Sequence, residues 1–473
     1  MEKKRWIPDI SAVFNNDFDP FEYSIKYCEE NADVKPNDVN KSITELKGIA
    51  NRQIGVIELD HTLDIDEVTE IFIRINSKGT PLSQSDFVMS KMAADTIHGG
   101  NIIRKVVDYF CHLAVKPDFY NQMIRDTDFK NSKYADKIKW LTNDNEDIYN
   151  PDYGDMIRVA FMNKFRRGKL ADLVSLLSGR DFETKEYRED IIEDSYKKLE
   201  EGIMEFINQY NFSQFVMAIK GAGFVSSKLL NSKMTLDFTY TLYLILLNDP
   251  SIPNAQIKRY VQKWFVLSTL TGRYVSSPES AMDRDMRSID EKGFLKFLAE
   301  LEDSLLSDTF WDIALPQRLE SSSVNSPAFN VFVAAQIKTN CNSLFMDGTK
   351  ISDLVTISGD IHHIFPAAYL KNNGVNNKAR YNQIVNYIYL DTQVNKAISD
   401  DAPCVYFSKV DEQCETGIIT LGNISDKSVL AENLKENCIP NNISSMDVTK
   451  YDDFLIERRK LMAKFIEKYY RSL

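Results

Sequence analysis

Residues 359–366 read Gly-Asp-Ile-His-His-Ile-Phe-Pro, and the fold of the C-terminal part of the chain turns on this stretch. β-branched and aromatic residues surround the two histidines, which predicts a short strand. Pro366 blocks a helical continuation, so His362 and His363 fall where a strand gives way to a loop. On a strand, neighbouring side chains point to opposite faces. One imidazole can therefore bind a metal while the other faces a substrate. The chain has five histidines in all, and only these two are adjacent.

Working outward, Ile351 to Ile361 is rich in β-branched residues and predicts an extended approach to the dyad. Downstream, Ile384 to Leu390 predicts a second strand and Thr392 to Ile398 a short helix. Asn386 lies on the first of these and Asn395, nine residues later, on the second. The order strand, loop, strand, helix puts imidazoles at one end and a carboxamide at the other. Such a set can hold one hard divalent cation with nitrogen and oxygen ligands and leave positions for water and phosphate.

The rest of the chain predicts helices. Ile192, Tyr196, Leu199, Ile203, Phe206 and Tyr210 alternate spacings of four and three, the mark of an amphipathic helix. Phe238 to Leu247 is apolar throughout and bracketed by acids; it is too short to span a bilayer and predicts a buried helix. Ser83 to Met92 predicts a helix capped by Ser83 or Ser85, and Asp66 to Asn76 another that breaks at Lys78-Gly79-Thr80-Pro81. Ile54 to Leu59 reads as strand-like, and Leu319 to Ala328 as a surface loop. From about Thr449 to the end an amphipathic helix is expected. Phe454, Leu461, Phe465 and Tyr469 form its apolar side, and Arg458, Arg459, Lys460, Lys464, Lys468 and Arg471 its basic side. Arg273, at a glycine-flanked turn, is expected to form ion pairs with nearby acids.

Composition narrows the classes. The 473 residues include 57 Lys and Arg against 69 Asp and Glu, a net charge of −12, which argues against a nonspecific polycation. Residues 449–473 reverse the balance locally, with seven basic and four acidic residues. The six cysteines contain no CxxC pair, so neither a disulfide framework nor a thiolate zinc site is expected. The start MEKKRWIPDISAVF has no apolar stretch behind its charges, and a cytoplasmic protein without a membrane partner is the expectation.

Residues 360–406 resemble the HNH nuclease motif of the ββα-metal class. The His-His-Ile-Phe-Pro segment, the Asn386-to-Asn395 spacing, Pro403 and Tyr406 are similar to the variant in GmrSD-type restriction endonucleases. Ile71-Phe72-Ile73-Arg74-Ile75-Asn76-Ser77-Lys78-Gly79-Thr80-Pro81-Leu82-Ser83 resembles a segment of that family's ParB-like domain. The resemblance implies a mainly α protein with a small α+β HNH module at its C-terminus and the remnant of a ParB-like α+β domain at its N-terminus. The implied domains are 1–95 (partial ParB-like), 96–335 (helical middle) and 336–473 (HNH with the terminal amphipathic helix).

By the same resemblance His363 would be the general base. His362 and Asn395 would be metal ligands and Asp360 a neighbour supporting them. Asn386 would brace the loop and orient His363 by a side-chain hydrogen bond, and Arg74 and Asn76 would lie near a nucleotide. The implied cofactor is Mg²⁺, with Mn²⁺ or Ni²⁺ able to substitute. The implied partner is DNA, including modified phage DNA, in an anti-phage or modification-dependent restriction system. Family members carry a DGQQR motif upstream, and this sequence contains none. The resemblance is therefore expected to run from just after that segment, and a nucleoside triphosphate is poorly supported for this chain alone. A partner chain bearing DGQQR is the alternative, with this chain as its nuclease or regulatory subunit.

Overall fold

A computed structural model describes residues 10–15, 17–53, 55–56, 58–60, 68, 71, 82–143, 148–182, 184–357 and 361–473. Two compact units are present, Met1–Pro81 and Leu82–Leu473. In the first, the helices Pro20–Glu30 and Pro36–Gly48 pack on each other, and Asp19 caps the former through the N–H groups of Phe21 and Glu22. The described part of the Ile54–Leu59 run forms no strand. The Asp66–Asn76 helix and its break at 78–81 lie almost wholly outside the described residues.

The second unit is mainly helical, and its only sheet among the described residues is a two-stranded ribbon. The helix Gln84–Ala94 begins at Ser83 with a capping box: Ser83 accepts from the Asp86 N–H, and the Asp86 carboxylate accepts from the Ser83 N–H at 2.7 Å. Helix Lys233–Leu247 is buried on nearly every face, as its apolar sequence requires. It packs against the helices Tyr153–Phe165 and Asn254–Thr271. Around it lies an aromatic cluster in which Phe206 and Phe215 stand 4.9 and 4.6 Å from Tyr240, whose hydroxyl donates to the Phe206 carbonyl. Each such ring contributes about 1.5–3 kcal/mol by leaving water.

The amphipathic stripe starting at Ile192 ends earlier than its spacing predicts. Helix Glu189–Phe206 stops, Asn208 caps a new helix Gln209–Gly221, and Tyr210 is 66% exposed on that second helix. The Asn208 side chain accepts from the Asn211 N–H, which gives the new helix its own start. Arg273 forms the expected ion pair, a two-pronged contact with buried Asp285, and Tyr274 donates to the same carboxylate. Leu319–Ser326 is a connection between helices, and helix Pro327–Lys338 follows it. The six cysteines are free thiols.

Two further corrections concern the C-terminal part. Ile351–Thr356 is a helix, not an extended approach: Ile351, Leu354 and Val355 are buried at a three-and-four spacing, which outweighs β-branching. In the terminal helix Tyr451–Ser472, Arg458 is fully buried while Leu461 is 38% exposed. Arg458 lies four residues from both Phe454 and Met462, which are buried, so helical geometry puts it on their stripe.

The helices Tyr153–Phe165 and Glu189–Phe206 make the most extensive helix pairing of this unit. They approach closely at Gly202, where an added Cβ would lie 2.6 Å from the Ala160 carbonyl oxygen. On an exposed helix Gly→Ala would stabilise by about 1 kcal/mol. Here the sign reverses: Gly202→Ala is expected to lower stability by about 1–3 kcal/mol through overpacking, read as a lower urea midpoint of the full chain. An unchanged or higher midpoint would show that the two helices can separate without cost.

Candidate functional site

Strand β1 is Ile361–His363 and strand β2 is Tyr387–Tyr389, paired antiparallel with His362 opposite Ile388 and His363 opposite Tyr387. The short helix Thr392–Ile398 follows β2 and is capped by Asp391. Strand, strand and helix thus occur in the order the sequence predicts, although the second strand is shorter than the run Ile384–Leu390. Its first part, Ile384–Asn386, is a 3-10 turn. Successive residues of β1 face opposite sides, so the two imidazoles are on opposite faces of the ribbon.

Every backbone group just past the dyad is tied down. The Ile364 N–H donates to the Asn386 carbonyl at 2.8 Å, and the Tyr406 hydroxyl donates to the Ile364 carbonyl at 2.6 Å. The fully buried Asn386 carboxamide grips Phe365 at both ends. It accepts from the Phe365 N–H at 2.8 Å and donates to the Phe365 carbonyl at 3.0 Å and to the Tyr381 carbonyl at 3.2 Å. Asn386 thus ties the backbone after β1 to the segment before β2. It does not orient His363: all of its bonds go to backbone.

The residue bonded to His363 is Asn382, whose Oδ1 lies 3.0 Å from His363 Nε2. The Tyr387 ring meets the imidazole edge to face at 5.0 Å. Burial holds the His363 pKa below the usual 6.5. His362 and Lys371 push the same way, and the Asn382 bond opposes them. A half-buried imidazole that stays neutral near pH 7 is suited to accept a proton.

His362 is half-buried on β1 and Asn395 half-buried on the following helix. The Asn395 carboxamide makes no hydrogen bond among the described residues. Imidazole nitrogen and carboxamide oxygen are each donor types that a divalent ion accepts. Among the described residues no group of three or more His, Cys, Asp and Glu converges. Asp360, Arg74 and Asn76 lie outside the described residues. Of the remaining histidines, His98 bonds Asp95 and stacks on Tyr196, and His112 packs on Phe119, both structural arrangements.

Sequence reasoning missed two residues of this site. Asn382 sits just after the short helix Lys378–Tyr381, four residues before Asn386, with no motif of its own to mark it. Arg458 reaches across from the terminal helix. Its guanidinium donates to the carbonyls of Val385, Tyr387 and Asn437, flanking Asn386 on both sides. Burial lowers its pKa to about 10, which leaves it cationic. Its four-residue spacing from Phe454 was the available signal.

Comparison with protein-family models, with curated proteins and with solved structures finds no match. No helix among the described residues is long and apolar enough to cross a membrane.

Replacing Asn386 by Ala would remove the side-chain partner of the buried Phe365 N–H and of the Phe365 carbonyl. The expected loss is about 2–4 kcal/mol, measured by urea unfolding of the full chain. A midpoint within error of the parent would mean that the loop does not depend on this carboxamide.

Proposed function

We propose that the chain is a metal-dependent DNA endonuclease of the HNH type, acting in a prokaryotic anti-phage or modification-dependent restriction system. The observation that supports this most is the ribbon itself. It carries His363 as a neutral, half-buried imidazole on one face and His362 on the other, and β2 leads into a helix that bears Asn395. The motif residues His362, His363, Asn386, Asn395, Pro403 and Tyr406 supply the resemblance. The bonds of Asn386 and Tyr406 give two of them definite work, since they fix the backbone just after the dyad.

In this reading His363 takes the proton from the attacking water, and His362 and Asn395 hold the ion. A bound Mg²⁺, Mn²⁺ or Ni²⁺ would neutralise charge on the scissile phosphate and on the departing 3′ oxygen. Asn386 keeps the loop after β1 from relaxing, and Asn382 is the side chain bonded to the His363 ring. The alternative reading is a nuclease or regulatory subunit that works only with a partner bearing a DGQQR motif.

The deciding experiment incubates the full chain with plasmid and with modified phage DNA in Mg²⁺ and in Mn²⁺. Cleavage is expected, and His363→Ala should reduce it by roughly 10²- to 10⁴-fold with a melting temperature within a few degrees of the parent. Full activity in His363→Ala would remove the base assignment. No cleavage by folded parent protein would favour the partner-dependent reading, and the DGQQR-bearing chain would be added next. For the ligands, Asn395→Ala is expected to weaken Mn²⁺ binding by roughly 10-fold or more in calorimetry. An unchanged affinity would take Asn395 out of the ligand set.

A further inference from the structure

We infer that Asn382 is a positioning residue that selects the tautomer of His363, holding the proton on Nε2 and leaving Nδ1 as the proton-accepting atom. The inference rests on the nuclease reading for its functional meaning, but its geometry and its test do not. A neutral imidazole has one N–H and one lone pair, and a hydrogen bond at one nitrogen decides which is which. Asn382 Oδ1 is an acceptor only, and it lies 3.0 Å from His363 Nε2. The proton therefore resides on Nε2. Nδ1 has no partner among the described residues, so its lone pair is the one left for a water.

Asn382 is well placed to hold this choice, because the chain on both sides of it is fixed. The Asn382 N–H donates to the Lys378 carbonyl at 3.1 Å. The Tyr381 carbonyl accepts from Asn386 Nδ2 at 3.2 Å. The Ile384 N–H donates to the Ser321 carbonyl at 2.7 Å, and the Gln383 carbonyl accepts from the Asn386 N–H at 2.8 Å. The Tyr387 ring, opposite on β2 and edge to face with the imidazole, limits rotation of the His363 ring. The opposite arrangement is chemically well defined. With the Asn382 amide turned over, its NH₂ would donate to Nε2 and the proton would sit on Nδ1.

The test is a ¹⁵N spectrum of the full chain labelled at histidine, recorded at about pH 8, where imidazoles are neutral. His363→Gln assigns the His363 signals by their disappearance. The expected parent spectrum has a pyrrole-type Nε2 and a pyridine-type Nδ1 for His363. Asn382→Ala is expected to move both shifts toward the average of two tautomers, while Asn382→Asp, which keeps an acceptor, restores the parent pattern. In a cleavage assay Asn382→Ala is expected to lower kcat by roughly 10- to 100-fold with KM within a factor of about two.

A pyrrole-type Nδ1 in the parent overturns the inference, and that measurement needs no variant of Asn382 to fold. Parent-like shifts in folded Asn382→Ala overturn it as well. Absence of cleavage by the parent chain would count against the nuclease reading and leave the tautomer assignment standing.

Discussion

A guanidinium with no carboxylate partner among the described residues is buried where the terminal helix crosses the β-ribbon, and the site depends on it. Arg458 spends its charge on the carbonyls of Val385, Tyr387 and Asn437. Burying a cation is costly, and here the cost is offset only by main-chain oxygens. Those oxygens belong to the turn and strand that bracket Asn386 and to the segment after helix Lys427–Glu436. One side chain thus joins three separate pieces of chain, at a place where a two-stranded ribbon of three-residue strands could not hold itself.

From that anchor the constraints nest inward. Arg458 fixes the backbone on either side of Asn386, and Asn386 fixes Phe365. Tyr406 and the Asn386 carbonyl fix Ile364. Phe365 in turn packs 4.9 Å from Phe454 and 5.1 Å from Tyr451, returning the chain to the same terminal helix. The main-chain groups of this turn and loop are paired with residues far apart in sequence, so the arrangement favours one backbone path. A rigid path is what a pair of imidazoles on opposite faces requires, because a one-residue slip would exchange their environments.

Much of this was legible locally and little of it at a distance. The helix Thr392–Ile398, the cap at Ser83, the buried helix Lys233–Leu247 and the Arg273–Asp285 pairing follow from spacing, capping and nearby charge. The β-branched and aromatic residues around the dyad, with Pro366 after it, mark β1. The errors share one cause. Residue type in Ile351–Thr356 points to an extended segment where periodicity governs, and the charge of Arg458 points to solvent where its position on the Phe454 stripe governs. The motif points to Asn386 as the partner of His363, whereas tertiary folding brings in Asn382. No local pattern encodes which carboxamide reaches a ring nineteen residues earlier in the sequence.

The terminal helix also reaches the helical part of the unit. Tyr469 donates to the Ala222 carbonyl at 2.6 Å and Tyr470 to Glu302 at 2.7 Å, near its far end. Tyr451 donates to the Arg380 carbonyl at 3.0 Å near its beginning. The helix is therefore a single rod with one end among the middle helices and the other under the ribbon. The three-residue strand β1 has little stability of its own, and the rod supports it through the contacts of Arg458 beside Asn386 and of Phe454 with Phe365. One continuous helix thus ties the middle helices to the backbone that follows the dyad, by hydrogen bonds at its far end and by Arg458, Phe454 and Tyr451 nearer its start.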